Sequence, residues 1–368
     1  MSVLKCLTSF AIALSITTSL PATSPEPAQI RAAVKSSLPF IEDKGVWWIE
    51  KKDCVSCHRV TNMVWTLSAA KRHGFQVSEQ LDEWIDWTIE SSLSKNDEDK
   101  IAGQANKEGV AQLLIALGER ADQDAHQQLS DLLLKDQQDN GSWKAGGQLP
   151  AQKRPKPETD QTSTMWLALA MQQSKPSPRQ APVLTKAETF IEQAPVGKST
   201  EWFVLRLLLA NQTNNNAQRD EMVKQLIQQQ QADGGWGWMV DAESDALGTG
   251  MAVYALTQAK ATEPLDAAGI QSSIENAQTF LIETQREDGS WPVKGTKEKR
   301  KDKASETAVY WGTTWAALGL IHTLPEPAAN EVSTKDAGGR AANRDEVSQQ
   351  DDAADELAAP ASDVTASY

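Results

Sequence analysis

Gln137-Gln138-Asp139-Asn140-Gly141-Ser142-Trp143 recurs as Gln230-Gln231-Ala232-Asp233-Gly234-Gly235-Trp236, and again as Gln285-Arg286-Glu287-Asp288-Gly289-Ser290-Trp291. The shared form is Q-x-x-[D/N]-G-x-W, with tryptophans 93 and then 55 residues apart. Self-similarity of this kind marks a repeat architecture, in which one supersecondary unit buries its apolar face against its neighbours. Each copy follows a segment of helical period (126–138, 217–231 and 270–285) and precedes a more apolar one (164–171, 248–256 and 313–321). Asn or Asp followed by Gly is expected to end the first helix, because Gly tolerates the left-handed backbone of a helix C-terminus. The Gln is expected to bond freed carbonyls, and the Trp to pack against the adjoining helix pair. The second helix is apolar nearly all round and should be buried between neighbours.

The same alternation continues where the tryptophan motif is lost. Segments 28–52 and 61–70, 77–94 and 108–117, and 183–193 and 201–210 make three further pairs, six in all. Six such pairs can close on themselves, with apolar helices inside and amphipathic ones outside. The expected fold is all-α: an α/α toroid, or barrel, of about six helix pairs over residues 23–324. An open solenoid is disfavoured, because the inner helices are too apolar to face solvent across a concave surface.

The Q-x-x-D-G-x-W repeats resemble the QW motifs of the squalene-hopene cyclase and protein prenyltransferase family of α/α toroids, over roughly residues 28–324. That resemblance implies the fold; its chemistry has to be tested residue by residue. The cyclases of this family protonate a polyene through a D-x-D-D motif. The nearest segment here, with Asp241, Glu243 and Asp245, lacks the adjacent acidic pair, and its two aspartates read as caps of an inner helix starting near Leu247. The family's prenyltransferases hold zinc through Asp, Cys and His. Here, with four His in the chain, Cys54 and Cys57 are taken by one short motif. A G-C-G-E-Q thioester run is also absent from the sequence. A redox role is therefore expected in place of cyclisation or prenyl transfer.

Cys54-Val55-Ser56-Cys57-His58 carries that chemistry. C-x-x-C-H is the attachment signature of c-type haem: two thiols add to the porphyrin vinyl groups, and the adjacent His ligates iron. The same residues could instead form a redox disulfide, a zinc half-site or a structural disulfide. A thioredoxin-like site wants a βαβ context, and zinc wants more ligands than His73, His126 and His322 supply. The motif falls where later repeats carry D-G-S-W, so one covalent haem c is expected at the barrel mouth, with Trp47, Trp48 and Trp65 as candidate walls. His58 is the proximal ligand. Met63 is too close in sequence to reach the opposite face, whereas Met165 and Met251 begin other inner helices and are the distal candidates. A five-coordinate iron is an alternative. His73 and His126 read as solvated surface.

Length, charge and composition bound the rest. The chain has 368 residues, 40% hydrophobic and 23% charged, which is globular. Its net charge of −14 excludes a basic nucleic-acid-binding face. Residues 325–368 hold ten Asp/Glu and three Lys/Arg and little to bury, and are expected to be a disordered acidic tail. Lys5, the apolar stretch 6–20 and Leu20-Pro21-Ala22 read as a signal peptide over residues 1–22. Export to the periplasm or cell envelope follows, with no transmembrane segment after cleavage. Two basic loops, 153–156 and 294–303, are candidates to dock an acidic redox partner. The function expected is an exported monohaem c-type cytochrome-like protein in electron transfer. The alternatives are a haem-dependent enzyme or binding protein for an isoprenoid or other apolar ligand, and a scaffold with structural haem.

Overall fold

The computed structural model of the protein describes residues 24–52, 58–95, 99–118, 123–147, 149–174, 177–259, 264–300 and 302–327. The expected signal peptide, all but the first residues of the acidic tail, and Cys54 and Cys57 lie outside the described residues, as does the side chain of His58. Among the described residues the regular structure consists of α-helices and short 3-10 turns: α1 (Pro27–Lys52), α2 (His58–Arg72), α3 (Leu81–Leu93), α4 (Lys107–Leu117), α5 (Gln123–Leu133), α6 (Lys156–Gln173), α7 (Ala181–Gln193), α8 (Thr200–Gln212), α9 (Asn216–Gln229), α10 (Ala246–Gln258), α11 (Pro264–Thr284) and α12 (Glu306–His322). None is long and apolar enough to cross a membrane.

The even-numbered helices form the inner ring. Each packs against the next in order from α2 to α12, and α12 returns to α2, so the ring is closed. Every residue from Ala308 to Ile321 of α12 is buried, as a helix surrounded on all sides requires. The inner helices begin earlier than their apolar stretches suggest. α6 starts at Lys156 and α12 at Glu306, because their polar first turns find partners at the ring's mouth. α2 likewise starts at His58, placing that residue in a helix and not in the connection.

The repeated motif closes three of the six pairs, with one correction to its expected mechanics. The outer helices end before the Gln: α9 stops at Gln229 and α11 at Thr284. The glycine instead occupies the left-handed position of a separate turn, which the preceding Asn or Asp stabilises by accepting a backbone N–H two residues on. Asn140, Asp233 and Asp288 accept from Ser142, Gly235 and Ser290, each at 3.0 Å. The Gln reaches further than a cap. Gln137 donates to the carbonyls of Gly141 and Val183, Gln230 to those of Gly234 and Ser273, and Gln285 to those of Gly289 and Ala33. Each second bond ties the turn to the next outer helix, and the last of them joins repeat six to α1. At Gly289, φ is 79° and a Cβ would overlap the Ser36 carbonyl, so both conformation and close approach exclude a side chain.

Each motif tryptophan is anchored twice. The indole N–H of Trp143, Trp236 and Trp291 donates to the carbonyls of Lys135, Leu226 and Leu281 at 2.7–2.9 Å. Their backbone N–H groups donate to Thr164, Thr249 and Thr313 on the following inner helix. The buried ring and its satisfied N–H together fix the angle between outer and inner helix.

Candidate functional site

The first turns of the inner helices converge on one mouth of the ring, and nearly all carry an acid: Glu108, Glu158, Glu201, Asp245 and Glu306 lie at or just inside the starts of α4, α6, α8, α10 and α12. Negative charge is favoured there by the helix dipole and by unsatisfied backbone N–H groups. Asp245 caps α10, accepting from the N–H of Gly248 at 2.8 Å and of Trp238 at 2.9 Å. The capping role expected of it holds, whereas Asp241 lies exposed in the preceding turn. Burial, opposed by those backbone bonds, raises the Asp245 carboxyl above the usual range. Glu158 ties α6 to α8 by accepting from the N–H groups of Lys198 and Ser199.

At the start of α2 the mouth is tightly filled. Arg59, 2% exposed, lies 4.7 Å from the Trp48 ring and 5.3 Å from that of Tyr310, and pairs with Glu306 at 3.0 Å. The Tyr310 hydroxyl donates to the Arg59 carbonyl at 3.0 Å. Trp47 points outward, 42% exposed, with Lys52 5.7 Å from its ring. Trp65 sits deeper, in an aromatic plug on the ring axis with Trp166, Trp315 and Tyr254 at centroid separations of 5.3–6.3 Å. Of the three candidate walls, Trp47 and Trp48 pack against each other with ring centroids 6.1 Å apart, whereas Trp65 belongs to the separate plug. Met63 packs with its sulfur over Gly45, and Met165 and Met251 are fully buried in the hydrophobic core.

Across the mouth, Arg154 and Glu201 form an ion pair with both side chains fully buried. Glu201 also accepts from the Trp166 indole at 2.9 Å. Glu108 accepts from the Ser163 hydroxyl at 2.8 Å. Its carboxyl is pushed up to about 7, first by burial and then by the charge of Glu201, against the lowering effects of Arg154 and Ser163. Arg154 was expected in an exposed basic loop; instead it is buried at 2% exposure. The two basic loops do meet. Gln152 bridges to Lys297, and the Lys153 N–H donates to Thr296 at 2.8 Å. The surface they share is carried by Lys156, Lys299 and Lys303, while Lys294 is paired with Glu243.

At the opposite end, His73 is 3% exposed, not solvated, because His322 on α12 faces it at 5.6 Å and Arg31 donates to its carbonyl. His322 also stacks edge-on against Tyr254 at 4.9 Å. Burial, with the charges of His73 and Arg72, lowers the His322 imidazole to about 4. His126 lies half-buried on α5.

A closed ring of six helix pairs with its polar residues gathered at one mouth defines the class: an α/α toroid. Solved toroids share this shape. A glycosyl hydrolase family 88 protein from Bacteroides vulgatus superposes with a TM-score of 0.57 at 10% identity, covering 82% of this chain and 99% of its own. A polysaccharide lyase gives 0.57 at 10%, covering 84% and 98%. A type II terpene cyclase from Scytonema gives 0.53 at 12%, covering 82% and 99%. At such identities the likeness is one of fold alone. Neither a family model nor a curated protein matches the chain by sequence.

Proposed function

We propose that the protein is an exported monohaem c-type cytochrome-like protein, in which the toroid is the frame and the haem the electron-transfer centre. The observation that carries this reading is the C-x-x-C-H spacing of Cys54, Cys57 and His58, whose cysteines fall in sequence between α1 and α2 and whose His begins α2, in a chain with a leader-like stretch over residues 1–22. Cys54 and Cys57 would form the two thioether links, and His58, the first residue of α2, would ligate iron. When bound, the haem supplies a reversible one-electron Fe(III)/Fe(II) couple.

The residues around the link suit such a group. The inward side is filled by Arg59, Trp48 and Tyr310. Trp47 and the exposed Lys51 and Lys52 are left outside, an apolar plate and two cations of the kind a porphyrin face and its propionates would meet. The joined basic loops favour an acidic redox partner at the same mouth. An isoprenoid in the lumen is less well supported. The Trp65–Trp166–Trp315–Tyr254 plug occupies the axis, and two cavities touching inner helices hold only about 140 and 220 Å³, below the roughly 300 Å³ at which small-molecule pockets usually begin.

The test is a pyridine haemochrome spectrum on the full chain co-expressed with a haem-attachment system. Haem that resists acid-acetone extraction in the parent and is lost in Cys54→Ala/Cys57→Ala supports the proposal; colourless exported protein overturns it. A reversible midpoint potential insensitive to carbon monoxide separates electron transfer from ligand chemistry and from a structural haem.

A further inference from the structure

We propose that the end of the ring opposite the acidic mouth holds a binding site for one neutral sugar ring. A cavity of about 220 Å³ opens there, where α6, α8 and α10 end. Its inner wall is the underside of the aromatic plug, formed by Trp65, Trp166 and Tyr254, which are at most 9% exposed. Its outer wall carries side-chain amides, among them those of Asn211, Gln212 and Gln258, which are half-buried or exposed. Aromatic faces are slightly negative and receive the C–H groups of a sugar face, while amides receive its hydroxyls.

The amides are held by neighbouring inner helices before any ligand arrives. Asn211 donates to the carbonyl of Gln258 at 3.1 Å, and Gln212 to that of Gln172 at 3.3 Å. The Gln258 amide approaches His322 Nδ1 at 3.4 Å. Asn211 Oδ1 is shielded from bulk water and has no partner, an uncommon state for an acceptor. Charge narrows the ligand further. Among the described residues, no Asp, Glu, Lys or Arg lines the cavity, so an ion would lose its water without a counter-charge. The C-terminal ends of three helices oppose an anion. The charge of Arg72, felt at the Tyr254 hydroxyl, opposes a cation. A neutral ligand meets neither cost. A volume of 220 Å³ equals about seven waters at about 30 Å³ each, which is room for one sugar ring and not for a chain of them.

The experiment is saturation-transfer difference NMR on the full-length protein, irradiating its aromatic protons. Glucose, galactose and mannose are the probes, with glucuronate as the anionic counterpart and choline as a small cation. Millimolar binding of at least one hexose is expected, because its hydroxyls exchange hydrogen bonds to water for protein ones of similar strength. Glucuronate and choline are expected to bind at least about fivefold more weakly. Asn211→Leu and Gln212→Leu should each weaken the hexose about fivefold, the effect of one hydrogen bond. Gln212 is exposed, so the assignment remains testable if Asn211→Leu does not fold. Absence of binding by all three hexoses overturns the proposal. So does unchanged affinity in the folded variants, or glucuronate or choline binding as tightly as the hexose.

Discussion

Glu108→Gln isolates the electrostatics of the mouth. In the folded protein the Glu108 carboxyl titrates near 7 against an ordinary 4.5, because it is 5% exposed and faces the charge of Glu201. The folded state therefore binds more protons than the unfolded chain between those two values. Stability falls as pH rises through that window, and above 7 the whole cost is present. At 1.36 kcal/mol per pH unit the cost is on the order of 3 kcal/mol. Gln keeps the acceptor for the Ser163 hydroxyl, which lies 2.8 Å from Glu108, and carries no charge. At pH 5 the parent already holds its proton, so the two proteins should unfold at nearly the same temperature. At pH 8 the variant should be more stable by about 3 kcal/mol, a rise of about 5 °C for a domain of this size. Thermal unfolding followed by far-ultraviolet circular dichroism at both pH values, at one ionic strength, measures the difference. A variant less stable than the parent at pH 8, or equally displaced at both pH values, would refute the account of a strained buried acid.

His322 has the opposite sign. Its imidazole is lowered from 6.5 to about 4, so the unfolded chain takes up protons first, and stability present above pH 6.5 is lost as pH falls toward 4. His322→Phe should flatten that acid limb by about 2 kcal/mol, allowing for partial exposure. A urea midpoint that changes with pH as the parent's does would count against it. Gly289→Ala should lower stability by about 1–3 kcal/mol through its positive φ alone, with the overlap at Ser36 adding to that. The loss should appear as faster hydrogen exchange in α1 and α11 together; exchange confined to the turn would show that the motif does not close the ring.

Much of this was legible in the chain. Trp143, Trp236 and Trp291 at the head of apolar helices gave away the pairing, and the fully buried run of α12 is what an inner helix of a closed ring must look like. The sequence holds a further signal of the mouth. Asn106-x-Glu108, Ser199-x-Glu201 and Ser305-Glu306 put a capping side chain and an acid at the start of alternate inner helices, α4, α8 and α12, and those acids lie at the mouth. Other features depended on distance in space. Gln285 looked like a helix cap, yet its second partner is the carbonyl of Ala33, 252 positions away. Arg154 stood among Lys153 and Lys156 like any solvated charge, and only the approach of Glu201 and Trp238 drew it inside. His73 followed two basic residues, but ring closure placed His322 over it.

The division has a physical cause. Periodicity, turn chemistry and the C-x-x-C-H spacing act over a few residues, and such local preferences can be read one segment at a time. They determined the helix pairs and the glycine turns, and they carry the haem attachment proposed for residues 54–58. Which charges were buried and which histidines faced each other depended on six inner helices meeting around one axis. That meeting is set by the packing of residues far apart along the chain, and it alone buried an arginine of a basic loop against Glu201.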